Sequence, residues 1–235
     1  MINRIETGID GLDELVQGGV PENSVTLVSG GPGTGKTLFC SQFLWEGLKR
    51  GQSCLFITME EEADDILEDA HEFGWNFKDY QEKGDFNISY INPFRVDSGF
   101  DHHIREKIEE VGADRIVIDS TSVIGMYAKS KGDVRRQLYE MIKMLKNSDV
   151  TTVMTAEAPK GEEGKISRYG VEEFVADSVI VLHYMGIGGG IYRNVEIPKI
   201  RKTNQEKGSF PMLIDDTGIH VFKTEEEYVD YMDSE

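Results

Sequence analysis

Eight consecutive residues near the start of the chain, Gly30 to Thr37, have the residue types and spacing of a phosphate-binding loop, G-x-x-x-x-G-K-[ST]. Glycines accept positive φ and leave room for a ligand, so successive main-chain N–H groups can point at phosphate oxygens. The lysine of this pattern reaches the β- and γ-phosphates, and the hydroxyl after it ligates Mg²⁺. The pattern predicts binding of a nucleotide with Mg²⁺ through these residues: Gly31, Pro32, Gly33, Thr34, Gly35, Lys36, Thr37 and Leu38.

Acidic side chains stand at the ends of two apolar runs further along the chain. Asp119 ends one of them, at the place where a carboxylate holds Mg²⁺ or its bound water beside Thr37. Glu60 and Glu61 end the run that follows the loop's helix, and parallel strands present ligands at their carboxyl ends. We predict that Thr37 and Asp119 hold the metal, that Glu60 orients the attacking water beside Glu61, and that Lys36 neutralises phosphate charge. The alternative is that the acidic residues are solvated strand-end charges.

The elements that must position these side chains alternate along the chain. A β-branched run, Ser24–Ser29, precedes the loop, and a helix is predicted over 38–50 and stopped by Gly51. Further apolar runs predict strands over 53–58, 86–91, 115–120, 150–155 and 178–183. Amphipathic patterns predict helices over 66–73, 104–111 and 134–146. This alternation indicates a three-layer α/β fold around a mainly parallel sheet, and segments 195–200 and 218–222 are expected to add antiparallel strands at the C-terminal end.

The composition is that of a globular protein with a strongly acidic surface. Of the 235 residues, 39% are hydrophobic and 29% are charged, and the formal net charge is −18. Such a charge repels a phosphate backbone at long range, which disfavours a nucleic-acid partner. No apolar run approaches the ~20 residues of a membrane span, so we expect a cytoplasmic protein with no membrane partner. One domain is expected over 1–235, with a short N-terminal segment, 1–23, and an acidic tail from about 223 to 235.

The segments GGPGTGKT, ITMEE and RIVIDS together resemble the RecA-type ATPase superfamily. Three further segments are more particular and resemble the KaiC domain of the circadian-clock protein and its archaeal single-domain relatives: TTVMT at 151–155, RYGVEEFV at 168–175 and FGW at 73–75. The resemblance covers nearly the whole chain. It implies a three-layer RecA-like P-loop fold and a Mg²⁺-dependent ATPase. It also implies a regulatory nucleotide switch in a homohexameric ring, with ATP bound between subunits.

The resemblance further implies that residues late in the chain complete the neighbour's site. In KaiC domains a K-x-R segment near the last strands has this role, and here it is Lys199-Ile200-Arg201, with Lys199 and Arg201 as catalytic cations. Thr203 and Asp216 correspond to further nucleotide contacts from the adjacent subunit. Many KaiC domains carry histidine shortly after that threonine, whereas this chain has Gln205. Without the resemblance, the segment is interpreted as a basic strand end that protects a sheet edge.

Two other functions stay open on the sequence. Loops 160–165 and 186–190 correspond in order to the pore-facing loops of RecA-like rings. A recombinase paralogue would bind DNA there through Lys160, Lys165, Arg168, Tyr192 and Arg193. Glu162 and Glu163 oppose those cations, so we expect flexible regulatory loops and a protein partner that the sequence does not identify. A serine/threonine autokinase is the second alternative, with hydroxyl groups available at Ser120, Thr121 and Ser122.

The cysteines and histidines do not indicate metal chemistry. The two cysteines lie in apolar segments without a C-x-x-C spacing, which predicts buried reduced thiols. The five histidines show no spacing typical of a zinc site.

Overall fold

Strands and helices alternate through most of the chain in a computed structural model, which describes residues 2–92, 100–126, 128–159, 164–187 and 190–234. The strands are β1 (Arg4–Ile5), β2 (Val20–Pro21), β3 (Val25–Gly30), β4 (Cys54–Thr58), β5 (Phe86–Tyr90), β6 (Arg115–Asp119), β7 (Thr151–Glu157), β8 (Ser178–Ile187), β9 (Gly190–Ile200), β10 (Ser209–Asp215) and β11 (Gly218–Val221). The helices are α1 (Leu12–Leu15), α2 (Lys36–Lys49), α3 (Ala63–Glu72), α4 (Phe77–Lys83), α5 (Phe100–Val111), α6 (Lys131–Asn147), α7 (Glu172–Val175) and α8 (Glu225–Met232), with a 3-10 helix at Thr121–Met126.

A nine-stranded sheet among the described residues carries the active-site segments. Its order is β11-β10-β9-β8-β3-β7-β6-β4-β5. The six strands from β8 to β5 are parallel to one another, and β9, β10 and β11 continue the sheet by antiparallel pairing. The mainly parallel sheet with antiparallel C-terminal strands confirms the predicted fold class. Because β3 lies between β7 and β8, the phosphate loop leaves the middle of the sheet.

The two faces of the sheet are covered by separate apolar cores. One core contains α1 to α4, with Phe39 and Phe43 of α2 packed on β3 and β4 residues. The other contains α5, α6 and residues next to α7, with Leu138 and Met141 of α6 at its centre. Burial on both faces explains why the parallel strands are almost continuously apolar.

Some elements depart from the sequence-based predictions. Helix α4 falls in a stretch where only a strand was expected, and its apolar residues, Phe77 and Tyr80, are too few for a strong helical pattern. Strand β10 was missed because Pro211 cannot donate a main-chain hydrogen bond and interrupts the pattern. The small β1–β2 sheet was missed because each strand has two residues. The acidic tail, by contrast, contains a helix, α8, which is the structure considered for it from the sequence.

Two further findings concern the cysteines and the helices. Cys40 and Cys54 are both buried and free, as expected. Among the described residues, no helix combines the length and the apolar character needed to cross a membrane.

Candidate active site

The phosphate loop connects β3 to α2 at the carboxyl edge of the parallel strands. Gly33 and Gly35 have φ of 73° and 100°, which only glycine adopts at low cost. A side chain at Gly30 would come within 2.5 Å of the Thr34 hydroxyl, so this glycine is needed for close packing. Both the Thr34 hydroxyl and the Lys36 ammonium donate to the Gly31 carbonyl, at 2.9 and 3.0 Å.

A cavity of about 390 Å³ opens beside the loop. Its wall contains most of the residues that the sequence singled out, together with others: Pro32, Gly33, Gly35, Lys36, Thr37, Leu38, Thr58, Glu60, Glu61, Asp119 and Glu157. The carboxyl ends of three neighbouring strands, β4, β6 and β7, therefore meet the phosphate loop at one site.

Thr37 and Asp119 are in direct contact across the sheet. The Thr37 hydroxyl donates to Asp119 Oδ2 at 2.8 Å, and the Thr155 hydroxyl donates to Asp119 Oδ1. Asp119 is buried, so the two threonine hydroxyls fix the carboxylate in one orientation. A carboxylate and a hydroxyl are oxygen donors of the kind that Mg²⁺ binds when phosphates and water supply its other ligands. This donor pair fits the predicted metal ion.

Glu60 and Glu61 follow β4 and have different surroundings. The Ser120 hydroxyl donates to Glu60 Oε1 at 2.5 Å. Glu61 is held by its main chain, because its N–H donates to the Thr58 hydroxyl at 3.2 Å and its carbonyl accepts from the same hydroxyl at 2.7 Å. Desolvation raises the pKa of the Glu61 carboxyl, and the neighbouring Asp119, Asp69 and Glu60 charges raise it further.

Glu157, Thr155 and Ser120 belong to the site but were not predicted as site residues. Glu157 ends β7 in the cavity wall, where its carboxylate forms an ion pair with Arg168 at 2.6 Å. The signal that could have found Glu157 and Thr155 is their position at the end of the apolar run that begins at Val150, where Glu157 is the first acidic residue. Nothing in the local sequence indicates that the Ser120 hydroxyl turns toward Glu60.

The hydroxyl-bearing residues after Asp119 are already engaged. Ser120, Thr121 and Ser122 are all buried. Ser120 donates to Glu60, the Thr121 hydroxyl donates to the Thr155 carbonyl at 2.7 Å, and Ser122 accepts from the Glu157 N–H at 2.9 Å. Such buried, bonded hydroxyls suit the support of strand ends better than the transfer of a phosphoryl group to them.

The K-x-R segment lies at the amino edge of the parallel strands, whereas the phosphate loop of the same chain lies at their carboxyl edge. Ile200 pairs with Ser178, which pairs with Thr26 at the start of β3, whereas the loop leaves from Gly30 at its end. Four residues of strand separate these positions by about 13 Å. Lys199 and Arg201 therefore cannot complete the active site of their own chain.

The residues of this segment have partners in their own chain. Lys199 Nζ donates to the carbonyls of Ala176 and Glu173 at 2.6 and 3.1 Å, and desolvation lowers its pKa, as does nearby Arg201. Arg201 Nη1 lies 3.3 Å from Asp177 Oδ1. Ile200 is buried, so only its main chain is available for a nucleotide contact.

The structure separates Thr203 from Asp216, which the resemblance had placed together on the adjacent subunit's nucleotide. Thr203 lies after β9, beside the K-x-R segment, where its hydroxyl accepts from Arg4 Nη2 at 3.1 Å. Asp216 is exposed in the turn between β10 and β11. Because β10 runs parallel to β3, this turn is at the edge that carries the phosphate loop. Ile214 lies close to Gly35 of that loop.

The two loops considered for DNA binding fall partly outside the described residues, which leave out 160–163 and 188–189. Of the flanking cations, Arg168 is paired with Glu157. Arg193 packs over the Tyr184 ring at 4.9 Å, and its Nη2 lies 3.5 Å from the Gly33 carbonyl. Both arginines are therefore directed toward the nucleotide cavity and the loop.

Comparisons with known proteins point to one family. Residues 5–226 match the family described as "ATPase: KaiC". The chain is 39% identical to the circadian clock oscillator protein KaiC of Parathermosynechococcus lividus and 38% identical to that of Synechococcus elongatus, in both cases over 94% of its length. It spans 42% and 44%, less than half, of those two relatives. A KaiC-like protein of the archaeon Pyrococcus horikoshii has a similar crystal structure, with a TM-score of 0.85, 37% identity and coverage of 94% of this chain and 100% of the other.

Proposed function

Because the chain belongs to the KaiC family of ATPases, we propose that it binds ATP with Mg²⁺ and hydrolyses it in an oligomeric ring. The contact between Thr37 and Asp119 at the mouth of the phosphate loop is the observation that supports this function most directly. It joins a hydroxyl of the nucleotide-binding loop to a buried carboxylate on a separate strand, as Mg²⁺-dependent phosphoryl transfer requires.

The loop and the metal ligands act on the phosphates. Main-chain N–H groups from Gly33 to Thr37, with the Lys36 ammonium, bind the phosphate oxygens, and the N-terminus of α2 adds a favourable field. Thr37 and Asp119 would hold Mg²⁺, which would neutralise the charge that develops on the phosphate oxygens.

Glu60 orients the attacking water at the far side of the γ-phosphate. The Ser120 hydroxyl holds its carboxylate, which leaves the second carboxylate oxygen for the water. Reaction is by in-line attack, so catalysis comes from positioning and charge stabilisation. Glu61 has the partner role, since it follows Glu60 directly and lines the same cavity.

Lys199 and Arg201 act on the nucleotide of the next subunit. Their position at the opposite edge of the sheet supports this role, because a cation that cannot contact its own loop can contact that of a neighbour. Thr203 and the Ile200 main chain belong to the same contact surface. Asp216 is assigned to the nucleotide bound by its own chain, since its turn lies at the loop edge.

The physiological role that we propose is a nucleotide-gated switch in the cytoplasm that docks a protein partner. The ring, most simply a hexamer, makes turnover depend on assembly. The two named clock oscillator proteins are more than twice this length, so a clock function is not carried over to this chain. DNA binding is not favoured, because Arg168 and Arg193 face the nucleotide cavity and its loop and the net charge is −18.

The Asp119→Asn variant tests the proposed function. Phosphate release from ATP by the wild type should require Mg²⁺, and the variant should lose at least ~100-fold in rate because it removes the fixed metal-side charge. Asp149→Asn is the matched control, since Asp149 is exposed and its φ of 53° suits asparagine. No Mg²⁺-dependent phosphate release by the wild type would contradict the function. Wild-type rates from Asp119→Asn would contradict the metal assignment alone.

A further inference from the structure

A groove between α6 and α7 holds an unusual combination of side chains. It has a volume of about 400 Å³, and its wall includes Arg135, Arg136, Tyr139, Phe174, Val175 and Arg201. Tyr139 and Phe174 are 60% and 61% exposed, the highest values for large hydrophobic side chains in the described part of the chain. Because both side chains border the same groove, they form an exposed apolar patch of the kind that marks an interaction site. We call this surface the arginine groove.

The arginine groove is cationic on a molecule of net charge −18. No Asp or Glu among the described residues lines it. Arg136 has one carboxylate partner, Asp133 at 3.1 Å, and Arg201 has one, Asp177, which is shared with Lys146. Arg135 is exposed and makes no ion pair or hydrogen bond with another described residue. A ligand that fits this surface must be acidic and must cover two aromatic rings.

The same chain displays a cluster of negative charge after β4, at the carboxyl edge of the parallel strands. The acidic segment, Glu60 to Asp65, carries five carboxylates in six residues, all exposed. None of them forms an ion pair with a described cation. Five like charges within six residues repel one another. Cations from outside the chain would relieve that repulsion.

The two surfaces cannot meet within one molecule. The acidic segment follows the carboxyl end of β4, while the groove reaches Arg201 at the opposite edge of the sheet, beside β8. Strands β6, β7 and β3 lie between β4 and β8, which is a separation of about 19 Å across the sheet. A contact between two different surfaces of identical chains is heterologous, and it builds closed rings or filaments.

We propose that the arginine groove of one copy of this chain receives the acidic segment of the next copy. This inference deepens the proposed ring and rests on it. Tyr139 and Phe174 are the apolar anchors, and Arg135 and Arg136 pair with the carboxylates around Glu62 and Asp65. The contact brings Arg201 to the side of the neighbour that carries Glu60 and the phosphate loop. Active-site completion and subunit recognition thus use one continuous surface.

Two complementary charge-reversal variants test the contact. Variant A, Arg135→Glu/Arg136→Glu, makes the groove acidic, and variant B, Glu62→Arg/Asp65→Arg, makes the segment basic. Each alone opposes like charges at every contact and should associate at least ~10-fold more weakly than the wild type with Mg-ATP. An equimolar mixture should recover assembly, because an A groove faces a B segment and a B groove faces an A segment with opposite charges. Native mass spectrometry should then show alternating complexes with equal numbers of A and B.

Matched controls separate this result from a general effect of charge. Arg105→Glu/Lys143→Glu makes the same change in charge at exposed helix positions outside the groove, and it should assemble as the wild type does. Phe174→Ser should weaken association, whereas Val229→Ser, also at an exposed apolar residue, should not.

Several outcomes would overturn the contact. Assembly of variant A at wild-type strength would exclude the groove, and failure of the mixture to assemble would exclude the acidic segment as its occupant. A wild type that stays monomeric with Mg-ATP would exclude both the groove and the acidic segment as subunit contacts. Tight binding of a single-stranded oligonucleotide at near-physiological salt, lost in Phe174→Ser, would assign the groove to nucleic acid instead. Phosphate release by the wild type is a separate readout, so failure of the contact does not imply failure of the ATPase.

Discussion

The two adjacent carboxylates at the end of β4 show how neighbouring residues of one type acquire different roles. Glu60 has a side-chain donor, the buried Ser120 hydroxyl, that fixes one carboxylate oxygen. Glu61 is anchored by its main chain to Thr58, and its own side chain carries the raised pKa caused by desolvation and then by nearby acids. An oriented carboxylate is the better positioner of water, which favours Glu60.

Exchange of each carboxylate for its amide separates these roles. Glu60→Gln should keep nucleotide affinity and lose roughly 100-fold or more in phosphate release, because it removes the proton acceptor while the phosphate loop stays intact. Glu61→Gln should cost less, and Glu109→Gln, at an exposed position of α5 outside the cavity, should have no effect. Calorimetric binding and phosphate release on the three variants measure this. Wild-type turnover by Glu60→Gln together with an inactive Glu61→Gln would move the water-orienting role to Glu61.

At the scale of elements, the sequence predicts what local pattern determines. The bounds of the β3–loop–α2 unit were predicted to within two residues. The apolar strand, the glycines and the helical spacing of apolar residues are all visible in the local sequence. The sequence placed Asp119 and Glu60 beside the loop because strand ends recur at one edge of a parallel sheet, and both line its cavity. Glu157 and Ser120 were missed, because their roles depend on which strand lies beside β3 and how a side chain turns after β6. The position of Asp216 depends on the direction of β10, a strand that the pattern did not reveal.

The turn between β10 and β11 is tied to helix α8 through Asp215. Partial burial favours a neutral Asp215, but the Thr217 N–H and hydroxyl, the Tyr231 hydroxyl and nearby His220 outweigh it and lower its pKa from 3.8 to about 2. The Tyr231 hydroxyl donates at 2.9 Å, and His220 Nε2 lies 3.2 Å from the carboxylate. The folded state therefore favours the ionised acid.

Replacement of Asp215 should give a pH-dependent loss of stability. Since the folded pKa lies below the unfolded one, the stabilisation is fully present above pH 3.8 and is lost as pH falls through about 2. Asp215→Asn should lower the melting temperature at pH 7, and the difference from wild type should shrink between pH 4 and pH 2. Asp216→Asn, at the exposed neighbouring position, is the control without nucleotide. A constant difference across this range would show that Asp215 acts through packing and not through its charge.

At the scale of the whole molecule, the sheet places the phosphate loop and the proposed trans cations at opposite edges. The loop, Asp119 and Glu60 lie at the carboxyl edge, and Lys199 and Arg201 lie at the other. Under the proposed function a single chain carries an incomplete site, so activity should depend on assembly. A cation supplied by a neighbour is worth ~10³-fold or more in other nucleotide hydrolases.

Mixed rings of two inactive variants test whether the site is shared. Arg201→Ala keeps an intact phosphate loop but lacks the cation proposed to act on the neighbour's nucleotide, here called the finger. It should bind ATP and hydrolyse it poorly. Lys36→Ala/Glu60→Gln lacks a working loop but keeps its Arg201. Where the loop of the first meets the finger of the second, a complete site forms, so the co-assembled mixture should recover part of the activity that neither variant has alone.

Exchange of subunits must be established before the activity of the mixture has meaning, because separate rings of each variant would stay inactive whatever Arg201 does. Native mass spectrometry of the mixture, with one variant isotopically labelled, measures that exchange directly. Confirmed mixed rings without activity, together with full activity of Arg201→Ala on its own, would contradict the finger assignment. Lys199 and Arg201 would then be an ordinary basic strand end, in which Lys199 donates to the carbonyls of Glu173 and Ala176 and Arg201 pairs with Asp177.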